Sequence, residues 1–211
     1  MPGRTETPSC GHRRSIVWRA KGYCFWEVQR FDQLVGAAVK TLEEIGELDD
    51  TIIVMTSDNG MPFPRCKSHL YDSGSRMPLA IRWGDRIQAG RMVEDFVSFT
   101  DFAPTFLAAA GLPPPDEMTG RSLMNILRSA KSGQVDPARD CVLTGKERHG
   151  PAQEQPDLGG YPCRAIRTHD FLYIRNVAPD RWPAGTPDYE RAAFPGAWLG
   201  DCDNGPTKTF M

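Results

Sequence analysis

The sequence predicts an α/β fold: a mostly parallel sheet flanked by helices, followed by a small antiparallel β-hairpin region. Three observations carry that expectation. Ile52-Ile53-Val54-Met55 is an apolar, largely β-branched run without polar alternation, which reads as a strand covered on both faces. Just before it, Phe31, Leu34, Val35, Ala38, Val39, Leu42 and Ile45 recur at helical spacing, and helix, short loop, buried strand is half of a βαβ unit. Further on, Arg164–Thr168 and Phe171–Arg175 both alternate around His169-Asp170, as the arms of a hairpin with one solvated face do.

In chain order, residues 1–26 mix basic and aromatic side chains without a clear period and are left unassigned. The helix that follows stops at Gly46 and is expected to pack on the sheet. The central strand ends in Ser57-Asp58-Asn59-Gly60, which is turn chemistry. Ligands of open α/β sheets sit just beyond the carboxyl ends of the strands. There Asp58 offers a carboxylate and Asn59 an amide carbonyl, hard oxygen donors of the kind Ca²⁺ and Mg²⁺ accept. Taken alone, Asp-Asn-Gly is equally what an ordinary polar turn looks like. A second strand runs over Leu79–Trp83 and closes at Gly84-Asp85.

Ser98-Phe99-Thr100-Asp101 is a helix start, with Pro104 tolerable in the first turn. Phe102, Thr105, Phe106, Ala109 and Ala110 form one face, Gly111 ends it, and Pro113-Pro114-Pro115 forbids continuation. Residues 112–160 are rich in loops, with a short helix reaching Leu127 and a strand over Cys141–Thr144. The loop after that strand holds Lys146, Arg148 and His149, which reads either as a solvated loop or as an anion contact. The remaining chain is rich in Pro and Gly, and its Asp180, Asp188, Asp201 and Asp203 lack ligand spacing.

Composition excludes several classes. The charge balance, 25 Lys+Arg against 27 Asp+Glu, carries no footprint for nucleic acid or an anionic membrane surface. No segment nears the roughly 18 apolar residues a membrane span needs, and Met1–Ser9 lacks the apolar core of a signal peptide. Cys10, Cys24, Cys66, Cys141, Cys163 and Cys202 form no C-x-x-C pair and no evident disulfide framework. They read as buried free thiols, with one or two bridges open to an exported protein.

The order strand, Ser-Asp-Asn-Gly, short loop with Lys67, then Leu70-Tyr71-Asp72-x-Gly74-x-Arg76-x-Pro78 and a second apolar strand resembles the type I sulfatases of the alkaline phosphatase superfamily. Pro62-Phe63-Pro64 directly after Asp-Asn-Gly looks most like the heparan N-sulfatase (sulfamidase) branch. The resemblance runs from about Phe31 to near the C-terminus. It implies an alkaline-phosphatase-like fold, present in part: residues 27–160 as the C-terminal part of the α/β domain and 161–211 as the start of a smaller C-terminal subdomain. It also implies hydrolysis of a sulfuric ester or sulfamate on a sulfated small molecule or glycan. Asp58 and Asn59 then match two Ca²⁺ ligands, Lys67 matches the basic residue that holds the sulfate, and His149 is a substrate contact. The parent protein is expected to be periplasmic or extracellular.

Sulfate cleavage places charge on non-bridging oxygens, which a divalent cation and cationic side chains stabilise. The family's Cys/Ser-x-Pro-x-Arg motif, whose Cys or Ser becomes formylglycine, has no match; Cys10-Gly11-His12-Arg13-Arg14 is a chance near miss. Two oxygens bind Ca²⁺ poorly, since it takes roughly six to eight. The chain is therefore expected to be a sulfatase fragment that does not turn over substrate alone. Two other readings stay open: a phosphodiesterase or phosphonate hydrolase of the same superfamily, and a non-catalytic sheet fragment that binds a partner.

Overall fold

The structure, a computed structural model, describes residues 10–151 and 153–209, with side chains described from Phe25 except at 206 and 207. Met1–Ser9 lies outside the described residues, as do the side chains of the Cys10–Arg14 near miss. The element order is α1 (Cys10–Glu44), β1 (Ile53–Thr56), α2 (Asp72–Ser75), β2 (Leu79–Arg82), α3 (Phe102–Ala109), α4 (Met124–Leu127), β3 (Cys141–Lys146), β4 (Cys163–Thr168), β5 (Leu172–Asn176) and α5 (Pro206–Thr209).

The helix expected over 31–45 is there, and it reaches back through the unassigned segment to Cys10. Its end is set by Gly46, whose φ of 76° lets Glu47 N–H reach the Leu42 carbonyl at 2.9 Å and close the last turn. The expected packing on the sheet is not found. Phe25, Trp26, Val28, Phe31 and Leu34 are exposed, and α1 lies against α5. The reason is size. A two-stranded sheet of four-residue strands is about 13 Å long, while the 35-residue helix runs about 50 Å.

The strands differ from expectation in direction. β1 pairs with β2 antiparallel, Ile53 opposite Arg82 and Thr56 opposite Leu79. The second sheet, ordered β3-β4-β5, is antiparallel too. Parallel pairing needs a crossover that covers the sheet. The 57–78 connection instead is a folded loop holding only four-residue α2, and it returns the chain beside β1 in the opposite sense. Nor is β1 covered on both faces, since Met55 is exposed. The predicted hairpin forms as β4 and β5 around His169-Asp170. β3 joins the same sheet, so the small sheet begins at Cys141, ahead of the expected boundary at 161.

Two apolar clusters hold the chain. Leu123, Ile126 and Leu127 of the α4 region are buried against Ile81, Ile87, Val93, Val97 and Phe102. The turn into α3 is fixed by a capping box, in which Ser98 accepts from Thr100 N–H and Asp101 accepts from Ser98 N–H. The second cluster sets Leu70, from the loop after β1, under Tyr161, Cys163 and Ala165, with Leu172 and Ile174 beside them. That contact ties the end of β1 to the small sheet. Cys66, Cys141, Cys163 and Cys202 are free thiols; Cys163 and Cys202 are buried as expected, while Cys66 and Cys141 are only partly so.

Candidate functional site

The chain leaves β1 through Ser57–Gly60 and folds back on itself. Phe63 and Lys67 N–H both donate to the Met61 carbonyl, at 2.7 and 3.1 Å. Lys67 is thus brought back beside Met61, two residues past Asn59. Arg65 and Ser68 take left-handed φ of 62° and 66°, which bends the loop on either side of Lys67. Gly74 must be glycine, because a Cβ there would run into the carbonyl oxygens of Cys66 and His69. Beyond the loop, Leu70 is buried under β4, and Asp72 accepts two bonds from Arg167, from Nε at 2.9 Å and Nη2 at 3.2 Å. That bidentate contact holds the Asp72 carboxyl below its usual range.

The third wall comes from the far end of the chain. Lys67 Nζ donates to Asp203 Oδ2 at 3.0 Å, and both side chains keep partial access to water. Two residues earlier, Asp201 is buried and accepts from Lys146 Nζ at 2.6 Å. Lys146 closes β3 opposite Cys163, on the core-facing side of the small sheet. His69 lies within reach of the Lys146 and Asp201 charges. Burial, then the Lys146 charge, pushes the imidazole pKa below 6.5, with Asp201 opposing, so the ring is neutral near pH 7. His69 Nε2, Ser68 Oγ and Asp201 Oδ1 are buried and have no partner among the described residues. Lys208 Nζ binds the 196–204 segment together, donating to the Gly196 and Cys202 carbonyls and to Asn204 Oδ1.

Lys67, Asp58 and Asn59 therefore share one loop. Asp58 is exposed, and its Oδ1 is turned back to accept from Asn59 N–H at 3.0 Å; Asn59 is partly buried. These oxygens suit a hard cation in chemistry but not in number. Among the described residues no group of three or more His, Cys, Asp or Glu is placed to hold a metal ion. His149 is exposed in the loop after β3. Lys146, expected in that loop, belongs instead to β3 and is committed to Asp201, while Arg148 donates to the Leu158 carbonyl. Asp72 pairs with Arg167, and Arg76 caps α2 through its backbone N–H. Sequence reading missed Asp203, Asp201 and His69. Asp203 lies 136 residues from Lys67, and a lone acid in a Gly-rich tail carries no local signal of its partner.

Residues 65–141 match the family described as N-sulphoglucosamine sulphohydrolase, C-terminal. An ulvan-active sulfatase of Formosa agariphila is 32% identical over 166 residues, covering 79% of this chain and 26% of that protein. Human N-sulphoglucosamine sulphohydrolase is 30% identical over 166 residues, covering 71% of this chain and 30% of that protein. A Bacteroides thetaiotaomicron N-acetylglucosamine-6-O-sulfatase is 36% identical over 166 residues, covering 75% and 29%. In fold, the chain is similar to a protein solved in complex with its substrate D-glucosamine-2-N,6-O-disulfate, at TM-score 0.57 and 29% identity, over 72% of this chain and 33% of that one. It also shares the fold of a second solved protein, from Bacteroides thetaiotaomicron, at TM-score 0.54 and 20% identity over 71% and 32% of the two chains. The chain thus spans 26–30% of the length of the curated relatives named above.

Proposed function

We propose that this chain, which belongs to the sulfatase family as its C-terminal portion, supplies the sulfate-holding wall of a hydrolase site for sulfated carbohydrate. The observation that carries the reading is the loop after β1. It returns Lys67 N–H to the carbonyl of Met61, two residues past Asn59, and Lys67 lies within the family match over residues 65–141. Lys67 acts as a compact cation against the sulfate oxygens. Asp58 and Asn59 would give a Ca²⁺ two of its oxygen ligands, the others coming from outside this set, and the cation would add positive charge against the same oxygens. His149 is assigned a contact to the substrate beyond the sulfate.

The substrate class is a sulfated sugar. Relatives are named for ulvan, for N-sulphoglucosamine and for N-acetylglucosamine 6-O-sulfate. That spread supports sulfated glycans as a class and leaves N-sulfo and O-sulfo sugars both in play. No named relative favours the phosphodiesterase reading. An extracellular or periplasmic place of action belongs to the same proposal, since one relative is an extracellular sulfatase.

The test has two parts. Inorganic sulfate is titrated into the chain and into Lys67→Ala; Lys67-dependent binding is expected, and equal binding by both overturns the assignment. Hydrolysis of an aryl sulfate and of N-sulfoglucosamine is assayed with and without Ca²⁺; no turnover is expected from these 211 residues, which contain no formylglycine motif. Turnover that depends on Ca²⁺ and on Asp58 would show that a nucleophile is present after all, and Cys10 would be the next residue to replace.

A further inference from the structure

Beside Lys67 lies an open hollow of about 180 Å³, lined by Phe194, Gly196, Asp203, Asn204 and Lys208 among others. Asp203 belongs to both places: its Oδ2 accepts a hydrogen bond from Lys67 Nζ, and the residue lines the hollow. Its Oδ1 accepts no hydrogen bond among the described residues, and neither does Asn204 Nδ2 donate one. Lys208 is not free for a ligand, because its ammonium is spent on two carbonyls and on Asn204 Oδ1. Phe194, an exposed aromatic ring, lines the same hollow. An aromatic face with an acceptor and a donor beside it suits a sugar ring, which has apolar C–H faces and hydroxyls at its rim.

Resting on the reading of Lys67 as the sulfate-holding lysine, we propose that this hollow is the subsite for the sugar that carries the sulfate. Asp203 is its specificity-determining residue. A bare sulfate on Lys67 would face the Asp203 carboxylate as a like charge. A sulfated sugar brings hydroxyl or amide donors next to its sulfate, and these satisfy the free carboxylate oxygen. Asp203 therefore selects against simple anions and for anions that are also polyols. Phe194 supplies the face on which the ring lies, and Asn204 Nδ2 donates to a ring oxygen.

The test compares two probes on the whole chain by isothermal titration or chemical-shift perturbation: inorganic sulfate and N-acetylglucosamine 6-O-sulfate. The wild-type chain is expected to prefer the sulfated sugar by about fivefold, the scale of one charge-assisted hydrogen bond reduced by partial exposure. Asp203→Asn is expected to tighten sulfate binding and to bring that preference close to one. Phe194→Ala is expected to lower the preference by weakening binding of the sulfated sugar. Equal tightening of both probes by Asp203→Asn, with no effect of Phe194→Ala, would reduce Asp203 to a competitor for Lys67 and overturn the subsite. Binding of neither probe, or binding that survives Lys67→Ala, would instead overturn the Lys67 reading, and the subsite with it.

Discussion

Lys67 and Asp203 meet at 3.0 Å across 136 residues of sequence, and neither is fully buried: their side chains keep 29% and 39% exposure. The pair joins the loop after β1 to the last loop of the chain without sealing either. Partly exposed ion pairs contribute about 0.2–1 kcal/mol, because water competes for both charges. Lys67→Ala is therefore expected to lower stability by less than about 1 kcal/mol in urea unfolding. The same change is expected to abolish sulfate binding. A large loss of stability would mean that Lys67 serves the fold rather than a ligand.

Lys146 and Asp201 are the contrasting case. Their side chains are 9% and 2% exposed, at 2.6 Å. Removing one partner of a buried pair leaves the other charge uncompensated and costs about 3–5 kcal/mol, whereas exchanging both for apolar groups is often neutral. Asp201→Ala is thus expected to destabilise the chain by several times the effect of Lys67→Ala. The double change Lys146→Met with Asp201→Leu is expected to recover most of the loss. Urea midpoints of the three variants decide it: a double variant no better than Asp201→Ala would show that the pair does more than cancel its own charges.

Arg139 and Asp101 form a second buried pair, at 2.7 Å. Asp101 also accepts from Ser98 and Arg121 N–H, and Arg139 donates to the Phe96, Arg121 and Ser122 carbonyls. Arg139→Met would take a donor from three carbonyls and remove the buried cation paired with the Asp101 carboxylate, which keeps only its two backbone N–H donors. A loss of about 3–5 kcal/mol is expected, again by urea unfolding. Arg139→Lys is expected to recover little of it, since an ammonium cannot match the planar fork.

What could be read from the sequence was local. Gly46, the Ser98–Asp101 capping box and the alternating arms around His169-Asp170 each act within a few residues, and each does what its chemistry implies. That Asp58, Asn59 and Lys67 share one short folded loop follows from their closeness in sequence. Strand direction was not. An apolar run such as Ile52–Met55 is compatible with either pairing, and only the path of the 57–78 loop decides it. The pairs Lys67–Asp203, Lys146–Asp201 and Asp72–Arg167 span 136, 55 and 95 residues, beyond any periodicity. His69 reads as a surface histidine in sequence because its neighbours Lys146 and Asp201 arrive from elsewhere.

His69 carries the last prediction, on pH. Its folded-state pKa lies below 6.5, chiefly from burial and then from Lys146. As pH falls through 6.5, the unfolded chain takes up a proton that the folded chain refuses. The unfolded state then binds more protons, so the stability held by neutral His69 is complete above 6.5 and is lost progressively below it. Asp72 behaves separately: its depressed pKa matters only below its ordinary value of 3.8, where its Arg167 contact is lost with protonation. The urea midpoint is expected to fall between about pH 7 and pH 5.5. His69→Gln, which puts a neutral amide that cannot titrate in place of the imidazole, is expected to flatten that fall. An equally steep fall in the variant would show that another group sets the pH dependence, and that Lys146 and Asp201 do not act through this ring.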